Sequence, residues 1–171
     1  MKTKTIVILV LFAVVGLWAF VPAEAADGIC ARFEVSSVEK PTPREGGKFS
    51  AVKTTDLIVH VLFQDEIKEE LVVTLRFYTP NRHLYREMDI PIAPSGTRAP
   101  GKRTLPNYPY PVEVKVPNTT RPGGEPAIEV RFPVGGTSIV SSSLYGTWTV
   151  SGLINGKELR CFRPLTITIK N

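Results

Sequence analysis

Apolar and polar residues alternate with a period of two over most of this chain. The alternating segments are rich in valine, isoleucine, threonine and aromatic residues, and turn-forming residues separate them, as is typical of half-buried strands. The predicted strands are Ile29–Val38, Phe49–Gln64, Glu70–Thr79, Leu84–Ile92, Pro111–Val116, Ala127–Pro133, Gly146–Ile154 and Leu165–Lys170. The best helical candidate, Gln64–Leu71, is short and charged, so we interpret it as a turn. The pattern predicts an all-β fold, a single antiparallel β-sandwich.

Two short connections are predicted to close hairpins. Asn155-Gly156 is the pair preferred in a type I′ turn, and it separates residues 148–154 from residues 157–162. Pro80-Asn81-Arg82 separates two further alternating segments and predicts a second hairpin.

The last two predicted strands identify candidate core residues. Alternation places every second residue on the same face, so one face of each strand is apolar and the other is rich in threonine. The predicted core residues are Trp148, Val150, Leu165, Ile167 and Ile169. The alternative for Trp148 is an exposed ring that stacks against a sugar.

The first residues have the features of a secretory signal peptide. Lys2 and Lys4 precede an apolar run over residues 6–21, and Ala23-Glu24-Ala25 supplies small residues at the −3 and −1 positions of a cleavage site. We expect residues 1–25 to be removed and residues 26–171 to form one domain.

An uncleaved membrane anchor is the alternative, because about 17 apolar residues is the lower limit for spanning a bilayer. Pro22 interrupts a helix where an anchor would continue, and no basic stop-transfer cluster follows. We therefore expect no stable membrane span after cleavage and a secreted or periplasmic location.

The chain contains two cysteines, Cys30 and Cys161. Export places them in an oxidising compartment, so we predict one disulfide between them. Two buried free thiols are the alternative. A metal site requires more ligands than two distant cysteines and two isolated histidines provide, so we predict no metal and no cofactor.

The net charge of +5 is mildly basic, and the signal peptide accounts for two of the lysines. Basic and acidic residues are interspersed, as in Lys68-Glu69-Glu70 and Arg86-Glu87. The sequence therefore does not predict a nucleic-acid partner.

Residues from about 93 to 126 are rich in proline and glycine, and they predict an extended loop region. Long loops on a rigid sandwich often carry binding residues. The candidate contacts to a partner protein or glycan are Tyr108, Tyr110, Arg98, Lys102 and Arg103. The alternative is that the two rings fix the loop to the sheet and that the basic residues are simply solvated.

Candidate catalytic residues are few. His60 lies inside the apolar run Leu57–Phe63, so we interpret it as a strand histidine packed or hydrogen-bonded against the sheet, and we expect His83 to be solvated at a hairpin tip. Ser141-Ser142-Ser143 lies outside any Gly-x-Ser-x-Gly elbow. The acidic residues near the ends of one strand match no calcium loop and are interpreted as a solvated face or turn; they are Asp56, Asp65, Glu66, Glu69 and Glu70.

Two stretches carry a resemblance to a known group of proteins. RFYTPNRHLYREMDIPI and FPVGGTSIVSSSLYGTWTVSGLING resemble bacterial exported immunoglobulin-like or fibronectin-like β-sandwich proteins of unassigned function. The resemblance implies an immunoglobulin-like sandwich in an extracytoplasmic setting, with no catalytic residues to transfer. The two cysteines depart from the spacing of the antibody-type core disulfide.

The sequence thus favours an exported, non-enzymatic β-sandwich module that binds another protein or has a structural role in the cell envelope. Its partner would be an unidentified envelope or extracellular protein, or a glycan. A carbohydrate-binding module using Tyr108, Tyr110 or Trp148 is the first alternative. A hydrolase is the second, and it requires His60 or His83 within hydrogen-bond reach of a serine or carboxylate.

Overall fold

The computed structural model describes residues 29–94 and 127–171. The predicted signal peptide, the strand Pro111–Val116 and nearly all of the proline- and glycine-rich segment lie outside these ranges. The elements are β1 (Ala31–Ser37), β2 (Gly47–Ser50), β3 (Asp56–Phe63), β4 (Leu71–Tyr78), β5 (Leu84–Ile92), β6 (Ala127–Pro133), α1 (Ser138–Ser141), β7 (Gly146–Ile154) and β8 (Leu165–Lys170).

The strands form two sheets in an open, sandwich-like arrangement. One sheet has three strands in the order β1-β3-β6, and the other has five in the order β2-β8-β7-β4-β5. Neighbouring strands are antiparallel except β2 and β8, which are parallel. The prediction of an all-β, two-sheet fold is therefore confirmed.

The apolar faces of both sheets meet in one core. Alternate residues of each strand point inward, as Leu57, Val59 and Val61 do on β3. The structure buries all five residues that the alternation assigns to the core: Trp148, Val150, Leu165, Ile167 and Ile169. Trp148 is 1% exposed, so it offers no ring to a sugar.

Aromatic rings join the sheets across this core. Phe77 of β4 stacks on Phe132 of β6 with ring centroids 4.3 Å apart. Trp148 packs edge-on against Phe132 and Tyr85 at 5.9 and 5.0 Å, and its indole N–H donates to the Leu144 carbonyl at 2.9 Å. Because the ring buries its area and satisfies its N–H, we expect truncation of Trp148 to alanine to cost about 3–5 kcal/mol.

The prediction of one strand over Phe49–Gln64 is wrong. The segment turns at residues 51–55, so that β2 joins the five-stranded sheet and β3 the three-stranded sheet. Hydrogen bonds from the Lys53 and Thr54 amides to the Ser50 carbonyl close the turn. The turn lacks glycine and proline, so its only local sign is the break in alternation where four polar residues, 53–56, precede the apolar run of β3.

The Asn155-Gly156 turn forms, but the predicted return strand over residues 157–162 does not. Asn155 and Gly156 have φ values of 50° and 75°, as a type I′ turn requires. Lys157 then makes an isolated bridge to Ile154, and the chain pairs with β7 again only from Leu165.

The hairpin at Pro80-Asn81-Arg82 is confirmed, since β4 and β5 pair on either side of it. Arg82 occupies the left-handed region with φ 62°. One helical turn, α1, was not predicted; the Thr137 hydroxyl caps it by accepting from the Ile139 amide. Residues 64–70 form neither helix nor strand, as expected.

The predicted disulfide between Cys30 and Cys161 is present. Their Cα atoms lie 5.5 Å apart across a sequence separation of 131. Cys30 directly precedes β1 and Cys161 lies between β7 and β8, so the bond links the two sheets.

Candidate functional site

The five contact residues predicted in the proline- and glycine-rich segment lie outside the described residues. They are Arg98, Lys102, Arg103, Tyr108 and Tyr110. Their role in binding a protein or a glycan stays a prediction.

A buried polar cluster lies on the outer face of the three-stranded sheet. His60 of β3 is 4% exposed, and its Nε2 is 2.8 Å from the hydroxyl of Ser36 on β1. Its Nδ1 is 3.4 Å from a carboxylate oxygen of Glu129 on β6. The expectation that His60 is a hydrogen-bonded strand residue is confirmed, whereas the sequence did not indicate that Ser36 and Glu129 would join it.

The order serine, histidine, carboxylate is also that of a hydrolytic triad. A nucleophile needs substrate access and nearby main-chain N–H donors for the developing oxyanion. Ser36 is 2% exposed, and the amides of Val35 and Ser37 already donate to the carbonyls of Arg44 and Lys40 at 2.8 and 3.0 Å. In this conformation the cluster satisfies buried polar groups and does not present an accessible nucleophile.

Other candidate chemistry is dispersed over the surface. His83 is exposed at the β4–β5 hairpin, as expected. Four of the acidic residues lie exposed in the β3–β4 connection, and the fifth, Asp56, is 4.0 Å from Arg131. Within residues 29–94 and 127–171, no group of three or more histidine, cysteine or carboxylate side chains is placed to hold a metal ion.

Two clefts lie at the margins between the sheets. A cleft of about 390 Å³ adjoins Cys161 and is lined by residues that include Arg32, Glu45 and Arg163. A second, of about 220 Å³, lies between Tyr85 and Ser138, whose hydroxyls are 2.7 Å apart. His60 lines neither cleft.

The outer face of the five-stranded sheet presents a strip of hydroxyl groups to solvent. This face, which we call the hydroxyl face, is centred on β7 and β8. Register pairs Thr147 with Thr168 and Thr149 with Thr166, so four threonine side chains lie side by side. Ser151 continues the strip on β7. All five residues are exposed or half-buried.

The two margins of the hydroxyl face have opposite charge. On the β2–β8 side, Lys48 and Lys170 are exposed, and neither has an ion-pair partner within the described ranges. On the β5 side, Glu87 and Asp89 are exposed.

Both acidic residues are held by neighbours on β4. Glu87 binds Arg76 at 2.6 Å, and this hydrogen bond raises the pKa of the guanidinium above its ordinary value. Asp89 accepts from the Thr74 hydroxyl at 2.6 Å, an interaction that leaves its charge uncompensated. The hydroxyl face therefore has ordered polar side chains and a charge gradient, which suit it to recognition of another macromolecule.

The only helix in the described ranges is the four-residue α1, which is too short to cross a membrane. Comparison of the sequence with protein-family models and with curated proteins finds no match.

Proposed function

We propose that this protein is an exported, non-enzymatic β-sandwich module that binds another protein, or has a structural role, in the cell envelope. The observation that carries the proposal is the hydroxyl face: an exposed, regular sheet surface on a scaffold tied by a disulfide. Rigid strands position such a surface with little ordering cost on binding.

The Cys30–Cys161 disulfide supports export, because disulfides persist in oxidising compartments. A signal peptide over residues 1–25 is consistent with that compartment. We place the protein in the periplasm or outside the cell.

Strand order supports an immunoglobulin-like relationship. In that fold, strands A, B and E share one sheet and strands C, F and G share the other. Here β1-β3-β6 and β8-β7-β4 have the corresponding neighbours, and β5 occupies the place of the added strand of variable-type domains.

Tyr145 adds to this support. In immunoglobulin-like domains, a tyrosine near the start of strand F returns its hydroxyl to the main chain a few residues upstream. Tyr145 directly precedes β7, and its hydroxyl donates to the Val140 carbonyl over 3.5 Å.

The test is affinity capture of envelope proteins by oxidised residues 26–171, read by mass spectrometry. A face variant, Thr149→Arg/Thr166→Arg, places two bulky charges at the centre of the hydroxyl face. The matched control, Ser141→Arg/Ser142→Arg, places the same charges at the exposed C-terminal end of α1. We expect a reproducible partner that the wild type and the control retain and the face variant loses.

Equal capture by all three proteins would remove the hydroxyl face from the proposal. Capture of no partner by the wild type would leave only the structural role.

The spacing of Ser36, His60 and Glu129 favours hydrolysis as a second candidate function. A fluorophosphonate probe reacts covalently with an activated serine hydroxyl. Labelling of the wild type that is lost in Ser36→Ala would establish this candidate. We expect no labelling, because Ser36 is buried.

A further inference from the structure

Lysines and carboxylates of the hydroxyl face occupy opposite corners, and Arg76, which is paired with Glu87, lies beside the acidic corner. Lys48 is in register with Thr168 and, through it, with Thr147 near the start of β7. Asp89 is in register with Thr74 and, through it, with Leu153 near the end of β7. The basic residues therefore lie at one edge of the sheet and level with the start of β7. The acidic residues lie at the opposite edge and level with the end of β7.

Such a surface is complementary to itself. When two identical faces meet, the two-fold axis that relates them lies in the plane between them. An axis along the other diagonal brings the basic corner of each copy onto the acidic corner of the other. The same contact is made twice, as an isologous interface requires.

We propose that the hydroxyl face binds a second copy of this chain, so that the protein forms a two-fold symmetric dimer. The inference rests on the proposed function and deepens it, because it names the partner. Lys48 and Lys170 of each copy contact the region of Glu87 and Asp89 of the other. The strands of the two copies cross steeply, as in orthogonal sheet packing at about 90°.

The centre of the face suits this packing. The corners lie about equally far from Thr149, since β7 is the middle strand of the five and Thr149 lies between the heights of Lys48 and Asp89. Thr149 of one copy therefore lies close to Thr149 of the other. Threonine and serine hydroxyls can donate to and accept from one another, and Tyr78 and Arg76, in register with Thr149 and Ser151, lie beside them.

Five strands spaced about 4.8 Å apart, each contributing about six residues of 3.3 Å, give a face roughly 20 Å by 20 Å. This area belongs to the small, transient class of interfaces. We therefore expect a weak dimer whose population rises with protein concentration and falls with salt, since opposite charges attract less when screened.

The experiment is sedimentation equilibrium of residues 26–171 over a wide concentration range at low and high salt. We expect the weight-average mass to rise from monomer towards twice that value at low salt. A monomer mass at every concentration overturns the dimer.

Charge reversal identifies the surface. We expect Lys48→Glu/Lys170→Glu to be monomeric, because both corners become acidic, and Glu87→Lys/Asp89→Lys to be monomeric, because both become basic. An equimolar mixture of the two variants should dimerise again, since each supplies what the other lacks. The control, Lys157→Glu/Arg160→Glu, makes the same charge change in the exposed β7–β8 connection and should dimerise as the wild type does.

Melting curves show whether each variant is still folded. If Glu87→Lys/Asp89→Lys is unstable, the lysine variant Lys48→Glu/Lys170→Glu alone tests whether this face forms the dimer. Dimerisation that persists in that lysine variant, or that the mixture fails to restore while both variants are folded, overturns the assignment.

A thiol probe tests the axis. The described residues contain no free cysteine, so Thr149→Cys introduces a single thiol. A short bifunctional maleimide should link two copies of Thr149→Cys but not of Ser141→Cys. Absence of linkage in a protein that dimerises overturns the proposed axis.

Failure of the dimer is distinguishable from failure of the proposed function. A wild type that is monomeric yet captures an envelope protein through the hydroxyl face contradicts only the dimer. Loss of both contradicts the binding role as well and leaves only the structural role.

Discussion

The outer faces of the two sheets differ in what their polar residues do. On the three-stranded sheet, Ser36, His60 and Leu62 are 2%, 4% and 0% exposed, although they point away from the common core. On the five-stranded sheet, Thr147, Thr166 and the other residues of the hydroxyl face meet solvent. The sequence predicts strands for both sheets, yet only the hydroxyl face is available to a partner without rearrangement.

The difference shows why a polar residue in a strand is ambiguous. His60 is satisfied by side chains of two neighbouring strands, whereas the threonines of β7 and β8 keep hydrogen-bonding capacity at the surface. The first arrangement stabilises the fold, and the second suits binding.

The largest expected effect comes from removing the Cys30–Cys161 disulfide, which links the two sheets. Cys30→Ala/Cys161→Ala should lower the free energy of unfolding by up to about 5 kcal/mol. In the wild type the disulfide closes a long loop and so lowers the entropy of the unfolded chain, and the variant lacks this constraint. Urea unfolding of the variant, of the wild type and of the reduced wild type measures this. An unchanged midpoint and slope would mean that packing alone holds the sheets together.

Gly152→Ala should have a smaller effect, at about 1–3 kcal/mol. A Cβ at this position overlaps the ring of Phe162, which stacks on Phe33 of the opposite sheet at 4.4 Å. The added methyl group therefore disturbs packing between the sheets. The neighbouring change Ser151→Ala, on the outer face, is the control, and equal destabilisation by the two would contradict the close approach at Gly152.

Matched substitutions compare the outer faces directly. His60→Ala should cost about 1–3 kcal/mol, because it leaves the buried Ser36 hydroxyl without its described partner. Thr149→Ala should stay within about 0.5 kcal/mol, as is usual for a surface change. Denaturant unfolding of both variants measures these losses of stability. Similar losses would contradict the difference between the two outer faces.

The smallest effect is a pH dependence at the edge of the three-stranded sheet. Glu39 accepts from the Thr55 amide at 3.0 Å, and this hydrogen bond lowers the pKa of the carboxyl group. A lowered pKa in the folded state means that the contribution to stability is present above the unfolded pKa and is lost as the pH falls through the folded one.

The melting temperature of the wild type should therefore exceed that of Glu39→Ala slightly at neutral pH. The gap should close as the pH is lowered through about 4 and below. A gap that widens with acidification would contradict the hydrogen bond to the ionised carboxylate.

Local sequence patterns predicted much of the scaffold. Alternation identified the inward faces of β7 and β8, including the buried Trp148, and a proline-centred turn identified the β4–β5 hairpin. Two cysteines in a chain with a predicted signal peptide indicated the disulfide. The first two signals depend only on residues close together in the sequence. The third depends on the compartment that the predicted signal peptide implies.

The errors arose where a local pattern has two tertiary outcomes. Residues 49–64 contain no glycine or proline to mark a turn, but the chain crosses from one sheet to the other at residues 51–55. Residues 157–162 follow a strong turn signal but do not form a strand. Pairing depends on which strands the rest of the fold brings alongside, so periodicity alone does not determine it.

The sequence by itself determined the strand faces, the inward-facing apolar residues and the cysteine pair, because alternation and composition act locally. Only the tertiary structure decided that His60 meets Ser36, 24 residues away, and that the threonines of β7 and β8 lie side by side. It also placed the lysines and the carboxylates at opposite corners of one face. The physical reason is that these neighbours are created by the register between strands, which depends on how the two sheets pack around a common core.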